Sequence, residues 1–255
     1  MGLADLHIHT LYSWDGIHSV SAVLRHVVDH TDLDVIAITD HDEIAGAWEA
    51  VELAPAYGVE VIPGSEISTA EGHLLALFLK ERVEPGLSLA DTVLRVGEQG
   101  GLCIAAHPMA RAVSSLSAES IRRALQVAGV DQILVGIEAF NAGLFHRKSN
   151  IAAWELAQSL PLAKTGNSDS HVLGTIGQGA TVFAGKTAAE LRTALVARDT
   201  LVRVGSKQSS GVWIASSWLP LYLLRSAGWV TWSPDPHQPL KLGRVSQATS
   251  AVRAG

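Results

Sequence analysis

The chain has 255 residues, a formal net charge of −6 and 47% hydrophobic residues. That apolar content supports a substantial core and argues against general disorder, while the acidic balance and the absence of a Lys/Arg-rich stripe argue against a stable nucleic-acid partner. The single cysteine, Cys103, lies in an apolar run with no partner for an intrachain disulfide, so it reads as a small buried hydrophobe rather than a nucleophile.

The first predicted strand begins within a few residues of Met1, so no cleaved leader is expected and the cytoplasm is the expected location. It runs into Ala4-Asp5-Leu6-His7-Ile8-His9-Thr10, where His7 and His9 stand two apart and leave the same face of an extended segment. Asp15 follows in the Ser13-Trp14-Asp15-Gly16 turn, and helical periodicity takes over from Val20 to Val28. The next apolar run ends on Thr39-Asp40-His41. Strand alternation points Asp40 away from His41, making Asp40 a supporting partner or a proton-transfer group. Asp42 is expected to cap the helix that runs to Tyr57.

Beyond that helix, Val59 to Ile62 leads to Glu66, and His73 opens the apolar stretch ending at Leu79. Ser88 caps a helix from Leu89 to Glu98, after which the run from Leu102 ends on His107, with Arg111 four residues later. Ser117 precedes a helix reaching Ala128, and the run from Ile133 to Phe140 ends at Asn141. A helix from Ala152 to Leu160 leads to a second pair two apart, Asp169 and His171. Thr187 and Glu190 have capping-box spacing before a helix from Ala188 to Ala197. The glycines from Gly174 to Gly179 suit turn chemistry rather than a phosphate cradle. Alternating strands and helices imply a mainly parallel sheet with helices outside, and barrels of this kind build their sites at the C-terminal ends of their strands.

The character changes near residue 206. Residues 1–205 read as one catalytic domain and 206–255 as a C-terminal extension, first apolar and Trp-rich (Trp213, Trp218, Trp229, Trp232), then a Pro-containing tail that is loosely ordered after Leu240. Its longest uncharged stretch, Gln208 to Leu224, is short, polar at its start and interrupted by Pro220, so no membrane span is expected. Packing on the barrel, or on a second copy in a homo-oligomer, is the expected role.

Six histidines and three carboxylates therefore lie at strand ends: His7, His9, Asp15, His41, Glu66, His73, His107, Asp169 and His171. Imidazole nitrogens and carboxylate oxygens without thiolate suit zinc, manganese or iron, and this many donors exceed the needs of one ion, so two or three divalent ions are expected. His18, His26, His30, His146 and His237 read as structural or solvated. His26 and His30 are four apart on a helix but have no convincing carboxylate partner.

Taken together, Asp5-Leu6-His7-Ile8-His9-Thr10, Ser13-Trp14-Asp15-Gly16, Thr39-Asp40-His41-Asp42, Gly64-Ser65-Glu66-Ile67-Ser68, Ala106-His107-Pro108 and Asn167-Ser168-Asp169-Ser170-His171 closely resemble the PHP family, the polymerase and histidinol phosphatase domain. The resemblance spans roughly residues 3 to 205, and its specificity lies in the order and spacing of the whole set. It implies an α/β fold, a distorted TIM-like (β/α)7 barrel, with the family's metal ligands falling on the nine strand-end positions and Glu66 bridging two ions. It also implies a metal-dependent phosphoesterase in which hydroxide held between ions attacks phosphorus, with Asp40 or water protonating the leaving group. Arg111 and Asn141 are candidates for reaching a substrate phosphate. The implied substrates are a nucleotide, the end of an oligonucleotide such as short RNA, or a small metabolite phosphate. Only 33 residues separate His73 from His107, too few for the extra domain that nucleotide-cleaving members of the family carry there. Two readings compete: an amidohydrolase-like enzyme cleaving carbon–nitrogen bonds, and a non-catalytic metal-binding accessory module.

Overall fold

The elements follow in the order β1 (Gly2–Asp5), α1 (Val20–His30), β2 (Val35–Ile38), α2 (Ala45–Tyr57), β3 (Glu60–Ser68), β4 (His73–Leu77), α3 (Leu89–Glu98), β5 (Leu102–Ala105), α4 (Ala118–Ala124), α5 (Val130–Ile133), β6 (Leu134–Asn141), α6 (Ser149–Gln158), β7 (Ala163–Asn167), β8 (Gly179–Phe183), α7 (Ala188–Ala197), β9 (Leu201–Val204), α8 (Gly211–Ser226), β10 (Val230–Thr231) and β11 (Lys241–Leu242). They come from a computed structural model that describes residues 1–111, 113–143, 149–205, 211–227, 230–231 and 241–242. His146, Trp229, Trp232 and His237 lie outside the described residues, as does most of the expected tail.

The helices form where apolar periodicity and capping agree. In α1, Val20, Val23, Leu24 and Val27 recur at helical spacing and are buried, and the Ser19 hydroxyl accepts the Ala22 amide at the N-terminus. Ser88 caps α3, and Thr187 with Glu190 forms a reciprocal capping box on α7. Asp42 does not cap α2. Its carboxylate instead takes the amide and hydroxyl of Ser68 on β3, at 2.7 and 2.8 Å, while Glu43 receives the Ile44 and Ala45 amides.

Nine strands form one sheet in the order β7-β6-β5-β4-β3-β2-β1-β8-β9. Its two cores follow strand alternation. Val35 and Ala37 join Leu75, Leu77, Leu102 and Ile104 in the inner layer, where α7 takes part through Leu191, Ala194 and Leu195. Ile36 and Ile38 face outward, under α1 and its neighbours.

The α/β class and the distorted, TIM-like barrel are both present, but the sheet is less parallel than strand–helix alternation implies. Four neighbouring pairs are parallel and four are antiparallel. The cause is local. β4 follows β3 through a tight turn in which Thr69 donates its amide and hydroxyl to the Gly72 carbonyl, leaving no length for a crossover helix. β8 reverses after the link 168–178, which holds only a short turn at Leu173–Thr175, and runs antiparallel to β1 and β9.

Closure occurs at the rim. Beyond the ends of β1 and β7, the His9 amide donates to the Ser170 carbonyl at 3.0 Å and the Ser170 amide to the His7 carbonyl at 3.2 Å, a parallel bridge between Ile8 and Ser170. This bridge sets the two ligand-type pairs side by side.

Contrary to the interruption expected at Pro220, helix α8 continues through it. Among the described residues, no helix is long and apolar enough to cross a membrane. α8 packs on the loop between β1 and α1, and its short neighbour β10 pairs with β11.

Candidate metal centre

All nine strand-end residues meet in one cluster, organised around Glu66. The bridge between His41 and Glu66 turns the end of β2 onto β3, and Glu66 pairs in register with Leu75 of the inner layer. The Glu66 carboxylate lies 3.0 Å from His73 Nδ1 and 2.8 Å from His107 Nε2 through Oε1. Through Oε2 it lies 3.1 Å from His7 Nε2, 3.3 Å from His9 Nε2 and 3.3 Å from His41 Nδ1. Asp169 Oδ1 stands 3.5 Å from His7 Nε2 and 3.3 Å from His9 Nε2. Asp15 Oδ2 stands 2.8 Å from His171 Nε2 and 3.4 Å from His41 Nε2.

These contacts resolve into four overlapping groups, each with ligand atoms within 4.8 Å of one another: His9, Asp15, His41 and His171; His7, His9 and Glu66; His7, His107 and Asp169; and His41, Glu66 and His73. The donor chemistry fits divalent cations. His7 Nε2, His9 Nε2 and His73 Nδ1 are buried without a hydrogen bond although carboxylate oxygens stand close, an arrangement that metal coordination satisfies.

The electrostatics say the same. Burial pushes His7 down, but the charges of Asp169, Glu66 and Glu138 outweigh it and hold the imidazole well above its ordinary value. Burial is also overcome at His9, which Asp169 and Glu66 raise to about 10. Burial opposes ionisation of Glu66 and Asp15, yet the facing imidazoles hold both below the usual carboxylate range. Bound dications can take the place of the protons this array attracts.

Backbone geometry is also unusual here: His107 and Asp169 both have positive φ, 24° and 51°, a region non-glycine residues seldom adopt.

Glu138, which sequence reasoning missed, holds this array from beneath. It is fully buried in the middle of β6. Oε1 accepts from His7 Nδ1 at 3.0 Å and Asn167 Nδ2 at 2.7 Å, and Oε2 accepts from the His107 amide at 2.6 Å and Asn141 Nδ2 at 3.0 Å. Accepting from His7 Nδ1 fixes the tautomer that presents Nε2 to the cluster. The signal was a lone acid inside Leu134-Val135-Gly136-Ile137-Glu138-Ala139-Phe140, a run otherwise fit for a buried strand. Asp5 is a second buried carboxylate, raised to about 6 by burial against the pull of its hydrogen bonds; it receives the amides of Ser168 and Gly177.

The other residues singled out in the sequence belong to none of the four groups. Asp40 is buried and spends both carboxylate oxygens on Thr10, accepting the amide at 2.6 Å and the hydroxyl at 2.7 Å. That geometry positions the segment after His9 rather than presenting a proton to a leaving group. Gly46 permits the arrangement, since a Cβ there would run into Asp40 Oδ2, Tyr12 and Thr10. Asn141 is 1% exposed and bonds Glu138 and Asp169, so it orients carboxylates instead of facing a substrate. Arg111 is exposed on the loop after β5 and makes no hydrogen bond or ion pair with a described residue, outside the cluster. His26 and His30 face each other at 4.8 Å between ring centroids and belong to none of the four groups.

A barrel whose rim gathers imidazoles and carboxylates around a shared glutamate defines a metal-dependent class of protein. The family model described as PHP domain matches residues 5–159, and the one described as PHP-associated matches residues 147–200. The uncharacterized protein MJ1587 of Methanocaldococcus jannaschii is 40% identical over 171 residues, covering 62% of this chain and 93% of that protein. The chain belongs to the PHP family. A two-domain Bacteroides vulgatus protein containing a predicted PHP-like metal-dependent phosphoesterase superposes with a TM-score of 0.60 at 19% identity, covering 93% of this chain and 73% of that one. An amidohydrolase from Chromobacterium violaceum superposes with a TM-score of 0.55 at 18% identity, covering 78% and 97%. At such identities the structural likenesses speak for the fold alone.

Proposed function

We propose that the protein is a metal-dependent phosphoesterase, with His7, His9, Asp15, His41, Glu66, His73, His107, Asp169 and His171 as the ligands of two or three manganese, zinc or iron ions. The observation that carries this reading is the convergence of five imidazoles on Glu66, with its two oxygens serving different groups, while Asp15, Asp169 and His171 join the same cluster through His7, His9 and His41. Ions bound there would acidify water and neutralise charge on a phosphoryl group. The chain's own residues perform the remaining work. Glu138 holds the His7 ring and the His107 backbone, Asn141 holds Asp169, and Ser13 donates to Asp15 at 2.7 Å. Asp40 locks Thr10 behind His9.

The substrate class fits a small phosphate ester. Residues between His73 and His107 form only β4, α3 and β5 with their links, so no added domain covers the rim on that side. A nucleotide, an oligonucleotide end and a metabolite monophosphate all remain candidates. The amidohydrolase reading gains no support from shared fold, because one barrel hosts many chemistries. Cytoplasmic location, and residues 1–205 as the domain that supplies every proposed ligand, accord with this reading.

Reconstitution with manganese, zinc and iron, followed by a panel of mono- and diesters, nucleoside bisphosphates, histidinol phosphate, 5′-phosphorylated RNA and cyclic imides, tests it. Turnover of a phosphate ester that disappears in His9→Ala and Asp169→Ala supports the proposal. Turnover confined to amides or imides replaces it with the amidohydrolase reading, and no turnover with ions bound favours the accessory module.

A further inference from the structure

Helix α8 reaches back to the metal centre from beyond the barrel. Trp218, Tyr222 and Arg225 fall at helical spacing on one face, and that face meets the loop between β1 and α1. Arg225 donates through Nη1 to the carbonyls of Ser13, at 2.7 Å, and Gly16, and through Nη2 to the carbonyl of Leu11 at 2.8 Å. Trp218 Nε1 donates to the carbonyl of Asp15 at 2.8 Å. Its ring stacks on Tyr222 with centroids 4.6 Å apart and turns an edge towards His171 at 6.3 Å.

Four carbonyls between Leu11 and Gly16 thus accept from two side chains of α8. Leu11 and Ser13 are buried, so their carbonyls need partners. The loop's internal amide bonds, Leu11 to the His18 carbonyl, Ser13 to the Thr10 carbonyl and Gly16 to the Ser13 carbonyl, fix its turn but do not tie it to a strand. The same loop carries Asp15, which faces His41 and His171, and Ser13, whose hydroxyl touches His9, Asp15 and the His41 amide.

We propose that Arg225 and Trp218 are positioning residues of the metal centre: α8 holds the Asp15 loop from outside and so sets the group formed by His9, Asp15, His41 and His171. The extension beyond residue 205 is then part of the working site. This inference rests on the assignment of those four residues as ligands. Arginine is required rather than any cation, because one ammonium cannot span three carbonyls in the way a planar fork does.

The test uses the full-length protein as wild type, Arg225→Ala, Arg225→Lys and Trp218→Phe, each titrated with manganese or zinc while unfolding of the metal-free form is followed. Both Arg225 variants should bind one metal equivalent about 10- to 100-fold more weakly and leave the others unchanged. Trp218→Phe keeps the ring packing, removes one donor and should weaken the same equivalent about 3- to 10-fold. Wild-type affinities at every equivalent in folded variants overturn the proposal. So does uniform weakening that tracks lost stability, since that marks a merely structural role. If Arg225→Ala fails to fold, Arg225→Lys and Trp218→Phe decide the matter. A wild-type protein that takes up no cation refutes the ligand assignment itself, and the proposal with it.

Discussion

Replacing Glu138 with glutamine preserves the shape of the side chain and reverses half of its hydrogen bonding. Each carboxylate oxygen accepts two bonds, His7 Nδ1 and Asn167 Nδ2 on one, the His107 amide and Asn141 Nδ2 on the other. Whichever oxygen becomes an NH2 faces two donors, so two bonds to a charged acceptor are lost in a fully buried place. At about 1.5–3 kcal/mol for each such bond, the metal-free protein should lose about 3–6 kcal/mol of stability. In either orientation His7 Nδ1 loses its charged acceptor, and metal affinity should fall about 10- to 100-fold. Urea unfolding of the metal-free form gives the first quantity and zinc titration the second. Stability within about 1 kcal/mol of wild type, with affinity changed less than about threefold, would refute the reasoning.

Asp40→Asn should keep activity within about tenfold in steady-state assays, because an amide still serves the Thr10 amide and hydroxyl; a loss beyond about a hundredfold would restore Asp40 as a proton-transfer group. Gly46→Ala gains roughly 1 kcal/mol of helix propensity but drives a methyl into Asp40, Tyr12 and Thr10, and a net loss of about 1–3 kcal/mol is expected by calorimetry; a raised melting temperature would contradict the packing. His18 is pushed by burial, and by the charge of His26, from 6.5 to about 4, so it stays neutral in the fold while the unfolded chain takes up a proton. Its contribution is complete above about pH 6.5 and is lost as pH falls towards 4, a total of about 3 kcal/mol. Urea unfolding across that window should therefore show a shallower acid decline in His18→Gln than in wild type, and parallel declines would count against the burial argument.

Most of the ligand-type positions were legible because they end or open an apolar run, and because His7 with His9, and Asp169 with His171, share the period of a strand. The barrel was legible from strand–helix alternation and from the family resemblance. What was hidden depends on distance. Glu138 finds His7 131 residues away, and nothing adjacent to it announces that partner. Asp40 was assigned from alternation with His41, but its direction is decided by Thr10 across the loop. Asn141 is set by Glu138 and Asp169 in the same way. Arg225 and Trp218 sit in an extension read as packing material, and only the fold shows that their donors end on the Asp15 loop. The direction of β4 was not legible, because its apolar pattern is the same in either direction.

Anomalous diffraction from crystals grown with zinc or manganese tests the account most directly. Two or three peaks should appear among the nine side chains, each about 2.0–2.2 Å from imidazole nitrogens or carboxylate oxygens, with Glu66 shared between two of them. Peaks confined to another place, such as the His26 and His30 pair, or a loaded protein whose cluster holds no ion, would contradict it.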